Sequence, residues 1–146
     1  MEAVANHAAR RILLAVDQSG SSNGASREAI RLAREERAAL IVLSVVEPHN
    51  LHLPGGLSRR VDQERDRLAS GALDIVRAAR DAGVQATFLI WEGDPAETIL
   101  EASRAEGADT IVLGSRPRTS LRRIVLGSVS SQVAKQATCE VVVVPA

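Results

Sequence analysis

The chain has 146 residues, 45% hydrophobic and 25% charged, with 18 Lys and Arg against 18 Asp and Glu; that length supplies a single core burying roughly 68–70% of the unfolded surface. The charge balance excludes a general polyanion binder, and the apolar content excludes a disordered chain. One Phe and one Trp, Phe88 and Trp91, are too few for the aromatic platforms that grip single-stranded nucleic acid or open sugar grooves.

Residues 1–10 read as a flexible start and residues 11–146 as one domain. Arg10-Arg11 precedes ILLAV, an apolar run too short for a signal peptide, and no run approaches the roughly 18 apolar residues of a membrane span. Cys139 is the single cysteine, so no intrachain disulfide forms. The expectation is a soluble cytoplasmic protein.

In chain order, RILLAVD (Arg11 to Asp17) is the first short apolar run, hardly alternating, as suits a strand buried on both faces of a parallel sheet. A helix follows, with Ala25, Ala29, Leu32 and Ala33 on one face. ALIVLSVVEP, with Leu40 to Val46 at its core, is the second strand. The next helix lines Leu57, Val61, Leu68, Ala72, Ile75 and Ala79 on one side, with Arg59, Asp62, Arg65 and Asp66 on the wet side and Gly83 as its C-cap. VQATFLIWEGDP is a more mixed strand nearer an edge, and its Phe88 and Trp91 are expected to pack beneath that second helix. Pro95 to Ala105 forms a third helix with Asp94 as N-cap, Pro95 at N1 and Gly107 as terminator. Asp109 to Ser115 is the fourth strand, Ser128 to Ala137 the fourth helix and Glu140 to Ala146 the fifth strand. The alternation predicts an α/β fold: a doubly wound five-stranded parallel sheet in the flavodoxin-like order 3-2-1-4-5, with helices on both faces.

In such a sheet ligands bind at the carboxyl ends of the strands where the winding reverses, between the first and fourth. VDQSGSS and GSRPRTSLRRIVLGS leave the sheet there. The second loop feeds a helix whose first amides, around Ser128 to Ser131, lack intrahelical acceptors, and Gly127 admits an anion to the backbone. Ser128, Ser130 and Ser131 offer hydroxyls, while Arg116, Arg118, Arg122 and Arg123 add positive charge. Two readings of the spacing stand: a phosphate cradle, or a helix capped by Ser128 beside solvated arginines.

VDQSGSSNGASREAIRLA, the ending GSRPRTSLRRIVLGSVSSQVAKQATCEVVVVPA and the strand pattern between them resemble a universal stress protein domain over essentially the whole chain. Nucleotide-binding members of that family carry G-x2-G-x9-G-[ST] after the fourth strand. Gly114, Gly127 and Ser128 match it at the family's intervals, but Pro117 stands where the second glycine belongs. The resemblance implies a pocket for ATP or a related adenine nucleotide, with Mg2+ as a possible companion. The phosphates would lie on Gly114, Arg116, Arg118, Gly127, Ser128, Val129 and Ser130; Asp17 lies near the adenosine, and Val45 and Ala15 line the pocket. Proline lacks an amide donor and fixes φ. Losing one charge-assisted bond costs about 1.5–3 kcal/mol, or ten- to a hundred-fold in affinity.

The valines Val141 to Val144 form an exposed edge if the fifth strand is outermost, and pairing with a second copy would cover it; the resemblance implies the same homodimer. His49 and His52 read as exposed loop residues and Cys139 as a partly buried packing residue. No catalytic residue or metal ligand set is assigned. The expected function is a regulatory nucleotide-binding module, with a nucleotide-free interaction protein as the alternative and a slow ATPase, using Asp17 or Glu47 at magnesium, behind it.

Overall fold

Apolar strands that do not alternate need helices over both sheet faces, and the computed structural model has that arrangement. It describes residues 10–16, 22–47, 57–115 and 127–145, with residues 22–23, 57–61 and 115 described by backbone alone. The elements are β1 (Arg11–Val16), α1 (Ser22–Glu36), β2 (Ala39–Val46), α2 (Leu57–Asp81), β3 (Ala86–Glu92), α3 (Pro95–Glu106), β4 (Thr110–Ser115), α4 (Ser128–Gln136) and β5 (Glu140–Pro145). Every strand pair is parallel and the order is β3-β2-β1-β4-β5, as the alternation predicts. The mixed third run lies at one edge and the valine run at the other.

The register pairs residues of equal parity throughout: Ile12 with Leu40 and Thr110, Leu40 with Ala86, and Thr110 with Glu140. Side chains alternate along each strand, so even-numbered residues share one face of the sheet and odd-numbered residues the other. The even face packs Ile12, Leu14, Leu40, Val42 and Val112 beneath α1 and α2. The odd face packs Leu13, Ile41, Leu43, Ile111 and Leu113 beneath α3 and α4.

Parity corrects one expectation. Phe88 lies on the even face under α1 and α2, but Trp91 packs into the odd-face cluster with Ala96, Ile99 and Leu100 of α3. Residues three apart on a strand point to opposite faces, so one helix cannot cover both. Arg65 lies on the wet side as expected, its side chain 39% exposed, and its guanidinium pairs there with the Glu92 carboxylate at the end of β3. Val76, 1% exposed, joins the α2 stripe of Leu68, Ala72 and Ala79.

The helix ends follow local chemistry. Asp94 accepts from the Glu97 amide at 3.1 Å, with Pro95 opening α3. Gly83 after α2 has φ 87° and Gly107 after α3 has φ 65°, each in the left-handed region that lets the chain turn back. After Gly107, the Ala108 amide returns to the Ser103 carbonyl at 2.9 Å; after Gly83, Val84 returns to Ala79 at 2.9 Å. At the end of α1, Ala38 returns to Ala33 at 2.9 Å in the same way, but the left-handed residue is Arg37, φ 54°. A side chain costs about 1–2 kcal/mol in that conformation, partly offset by glycine's greater freedom when unfolded. Arg37→Gly is therefore expected to stabilise the fold by about 0.5–1 kcal/mol, read as a melting temperature higher by about 2–4 °C; an unchanged or lower value would refute the strain.

Candidate functional site

From β1 the chain winds toward β2 and β3, and from β4 it winds the other way to β5, so the carboxyl ends of adjacent β1 and β4 form the switch point where open α/β sheets bind ligands. Ala15 closes this corner, in register with Leu43 on one side and Leu113 on the other. Val45 stands at the end of β2 opposite Trp91. Ala15, Val45 and Val129 of α4 are all partly buried against the odd-face cluster. Predicted lining residues from separate stretches of sequence thus share one face and one end of the sheet.

Gly114, next to last in β4, is in register with Val144, and α4 begins beyond the strand at Ser128. The helix's N-cap is Gly127, in extended backbone with φ −66° and ψ 168° and no side-chain cap. This decides against Ser128 as the cap: it is the first helical residue and exposed. The first helical bond runs from the Ser131 amide to the Gly127 carbonyl at 2.9 Å. The amides of Ser128, Val129 and Ser130 have no intrahelical acceptor, and no described backbone group accepts from them. They lie at the positive end of the helix dipole. A Cβ on Gly127 would meet no described atom within 4 Å, so neither its φ nor its packing against the described residues requires glycine.

Ser130 behaves differently from the hydroxyl donor expected of it. It is 4% exposed, and its hydroxyl donates to the Gly114 carbonyl at 3.3 Å. It therefore ties the start of α4 to the end of β4. Helical spacing carries that signal, because Ser130 and Val133 are the buried residues of α4 and lie one turn apart.

Asp17, Arg116, Pro117, Arg118, Arg122 and Arg123, like His49 and His52, lie outside the described residues. Glu47 follows β2 directly and is partly buried. Among the described residues no group of three or more His, Cys, Asp or Glu side chains is arranged to hold a metal. Cys139 lies at the opposite, amino edge, partly buried against the odd-face cluster; burial, reinforced by the Asp109 carboxylate, pushes its thiol pKa up. That suits the packing role read for it. No helix among the described residues is long and apolar enough to cross a membrane.

The model of the universal stress protein family matches residues 8–145. Universal stress protein YxiE of Bacillus subtilis is 33% identical, the alignment covering 92% of this chain and 97% of that protein. Among solved structures, universal stress protein UspA from Lactobacillus plantarum superposes with a TM-score of 0.82 at 28% identity, covering 92% of this chain and 97% of that one. The universal stress protein from Archaeoglobus fulgidus in complex with dAMP has a TM-score of 0.70 at 23% identity, covering 92% and 96%. A further universal stress protein, in complex with cAMP, has a TM-score of 0.66 at 21% identity, covering 94% and 97%.

The Ser130 bond predicts a measurable stability effect. Ser130→Ala removes one hydrogen bond from a buried site and is expected to cost about 0.5–1.5 kcal/mol. In urea unfolding this lowers the midpoint without changing the slope; no midpoint shift would mean that the bond does not hold α4 to β4.

Proposed function

The chain belongs to the universal stress protein family, and from that premise we propose that it binds ATP or a related adenine nucleotide at the carboxyl ends of β1, β2 and β4, as a regulatory module. The observation that carries the reading is the start of α4 at Gly127, with no side-chain cap and no described atom within 4 Å of a Cβ there, on the sheet face that also carries the partly buried Ala15, Val45 and Val129. A nucleotide needs both features: donors and a positive dipole end for phosphate, and an apolar wall for the base. The dAMP and cAMP complexes of proteins with this fold support an adenine nucleotide as the ligand class.

In this reading the amides and hydroxyl of Gly127, Ser128 and Val129 face phosphate, and Ser130 positions them through Gly114. Arg116 and Arg118 add charge to the phosphate loop, Asp17 takes the adenosine, and Mg2+ accompanies the phosphates of ATP. We assign no catalytic role to any residue. The module acts as a homodimer paired along Val141 to Val144 of β5, an outer strand whose valines are only partly buried in the single chain.

Pro117 favours a second reading, an interaction protein that works without nucleotide. Release of small molecules from the purified, denatured protein onto an anion-exchange column separates the two. Adenine absorbance near one equivalent per chain supports the pocket. An empty trace, together with no heat when millimolar ATP and magnesium are titrated in, overturns it. Gly127→Ala is expected to lower nucleotide affinity about tenfold or more by placing a methyl where phosphate approaches, while stability changes by less than about 1 kcal/mol. For the dimer, sedimentation equilibrium at micromolar concentration should give twice the chain mass, and a monomer would refute it.

A further inference from the structure

The amino edge of the sheet, opposite the pocket just described, carries a second concavity. A cavity of about 320 Å³ opens among the starts of β1 and β2, the end of α1 and the turn before β3. Its charged lining is Arg10, Arg11, Arg34 and Arg37, with Gly83 and Gln85 also in the wall, and no carboxylate among the described residues lines it. Four cations from two distant parts of the chain are thus gathered in a protein whose formal net charge is zero.

Two of the guanidiniums are committed at the rim. Arg10 pairs with Glu36 at 3.3 Å, and Arg11 donates to the Glu106 carbonyl at 2.9 Å with the Glu106 carboxylate at 3.8 Å. For Arg34 and Arg37 no acid partner is found among the described residues. The nearby backbone amides are already satisfied: Ala39 by Arg10, Leu40 by Gln85, Gly83 by Arg80 and Val84 by Ala79. The spare donors at this edge are therefore guanidinium N–H groups, whose planar fork suits phosphate or carboxylate oxygens.

Arg34 in the last turn of α1 also complements the negative end of that helix. Helix complementation alone gives no account of Arg37. That residue holds the strained left-handed conformation that glycine takes after α2 and α3, and it lines this cavity together with Gly83, the left-handed residue that ends α2. Strained positions of this kind mark sites where a side chain is kept for something other than the fold.

We propose that the amino-edge cavity is a second anion site, taking a small molecule with two or more linked phosphates, held chiefly by Arg34 and Arg37. Bidentate pairing uses one guanidinium fork and two phosphate oxygens, so the forks of Arg34 and Arg37 together match the oxygens of linked phosphates. The cavity volume lies at the small end of ligand sites and accommodates a short polyphosphate.

The test titrates tripolyphosphate into the full-length protein at constant ionic strength, following backbone amide shifts by NMR. Saturable shifts centred on Ala38, Gly83 and Gln85 are expected. Arg34→Gln and Arg37→Gly should each weaken the binding about tenfold or more. Arg37→Gly serves as its own folding control, since the same substitution is expected to raise the melting temperature. Shifts that do not saturate would mean diffuse attraction only, and shifts confined to Gly114 and Gly127–Ser130 would assign the anion to the carboxyl edge. Either result, or unchanged affinity in both variants, overturns the proposal.

Discussion

The equal-parity register of the parallel sheet is the constraint from which the rest of the structure follows. β1 is bonded on both sides, to β2 and β4, and its central residues Leu13 and Leu14 are fully buried on opposite faces. A slip of one residue in any strand would carry its side chains to the wrong helical layer. With the register fixed, the ends of β1, β2 and β4 come level, and residues from separate stretches of chain meet at one corner without any direct bond between them. Ala15, Val45 and Val129 pack against the same odd-face cluster because their strands and helix are held, and Ser130 fastens α4 to β4.

The two edges of the sheet carry opposite intrinsic fields. Helices begin at the carboxyl edge, so their amides make it positive; they end at the amino edge, so their carbonyls make it negative. The carboxyl edge needs only an open helix start to attract an anion. At the amino edge the backbone field has to be overcome by side chains, and Arg10, Arg11, Arg34 and Arg37 supply that charge. A formal net charge of zero conceals this patterning, because the field a ligand meets is set by local arrangement.

The architecture was legible in the sequence because its signals are local and redundant. Apolar runs mark the strands, Asp94-Pro95 opens α3, and Gly83 and Gly107 close α2 and α3. The strand order followed from winding rules and was observed. The place of Trp91 depends on strand alternation, which sets it on the face opposite Phe88, and composition alone does not show this. At the switch point, spacing identified Gly114, Gly127 and the start of α4. It did not identify Gly127 as the cap, nor the inward turn of Ser130; both depend on how α4 docks against β4. The amino-edge arginines went unnoticed for a related reason: Arg10 and Arg37 are remote in sequence and match no motif. Only the sheet brings them together.

The separation of core from loop has a consequence for how this protein can change. The strand interiors tolerate neither insertion nor deletion, because a single added residue inverts everything beyond it. The segments that leave the carboxyl ends of β1 and β4 lie beyond the last register pair and can alter in length and composition without disturbing that inversion-sensitive pattern. Change of sequence is therefore channelled toward those segments, the one that holds Pro117 among them, while the buried sheet keeps its sequence pattern.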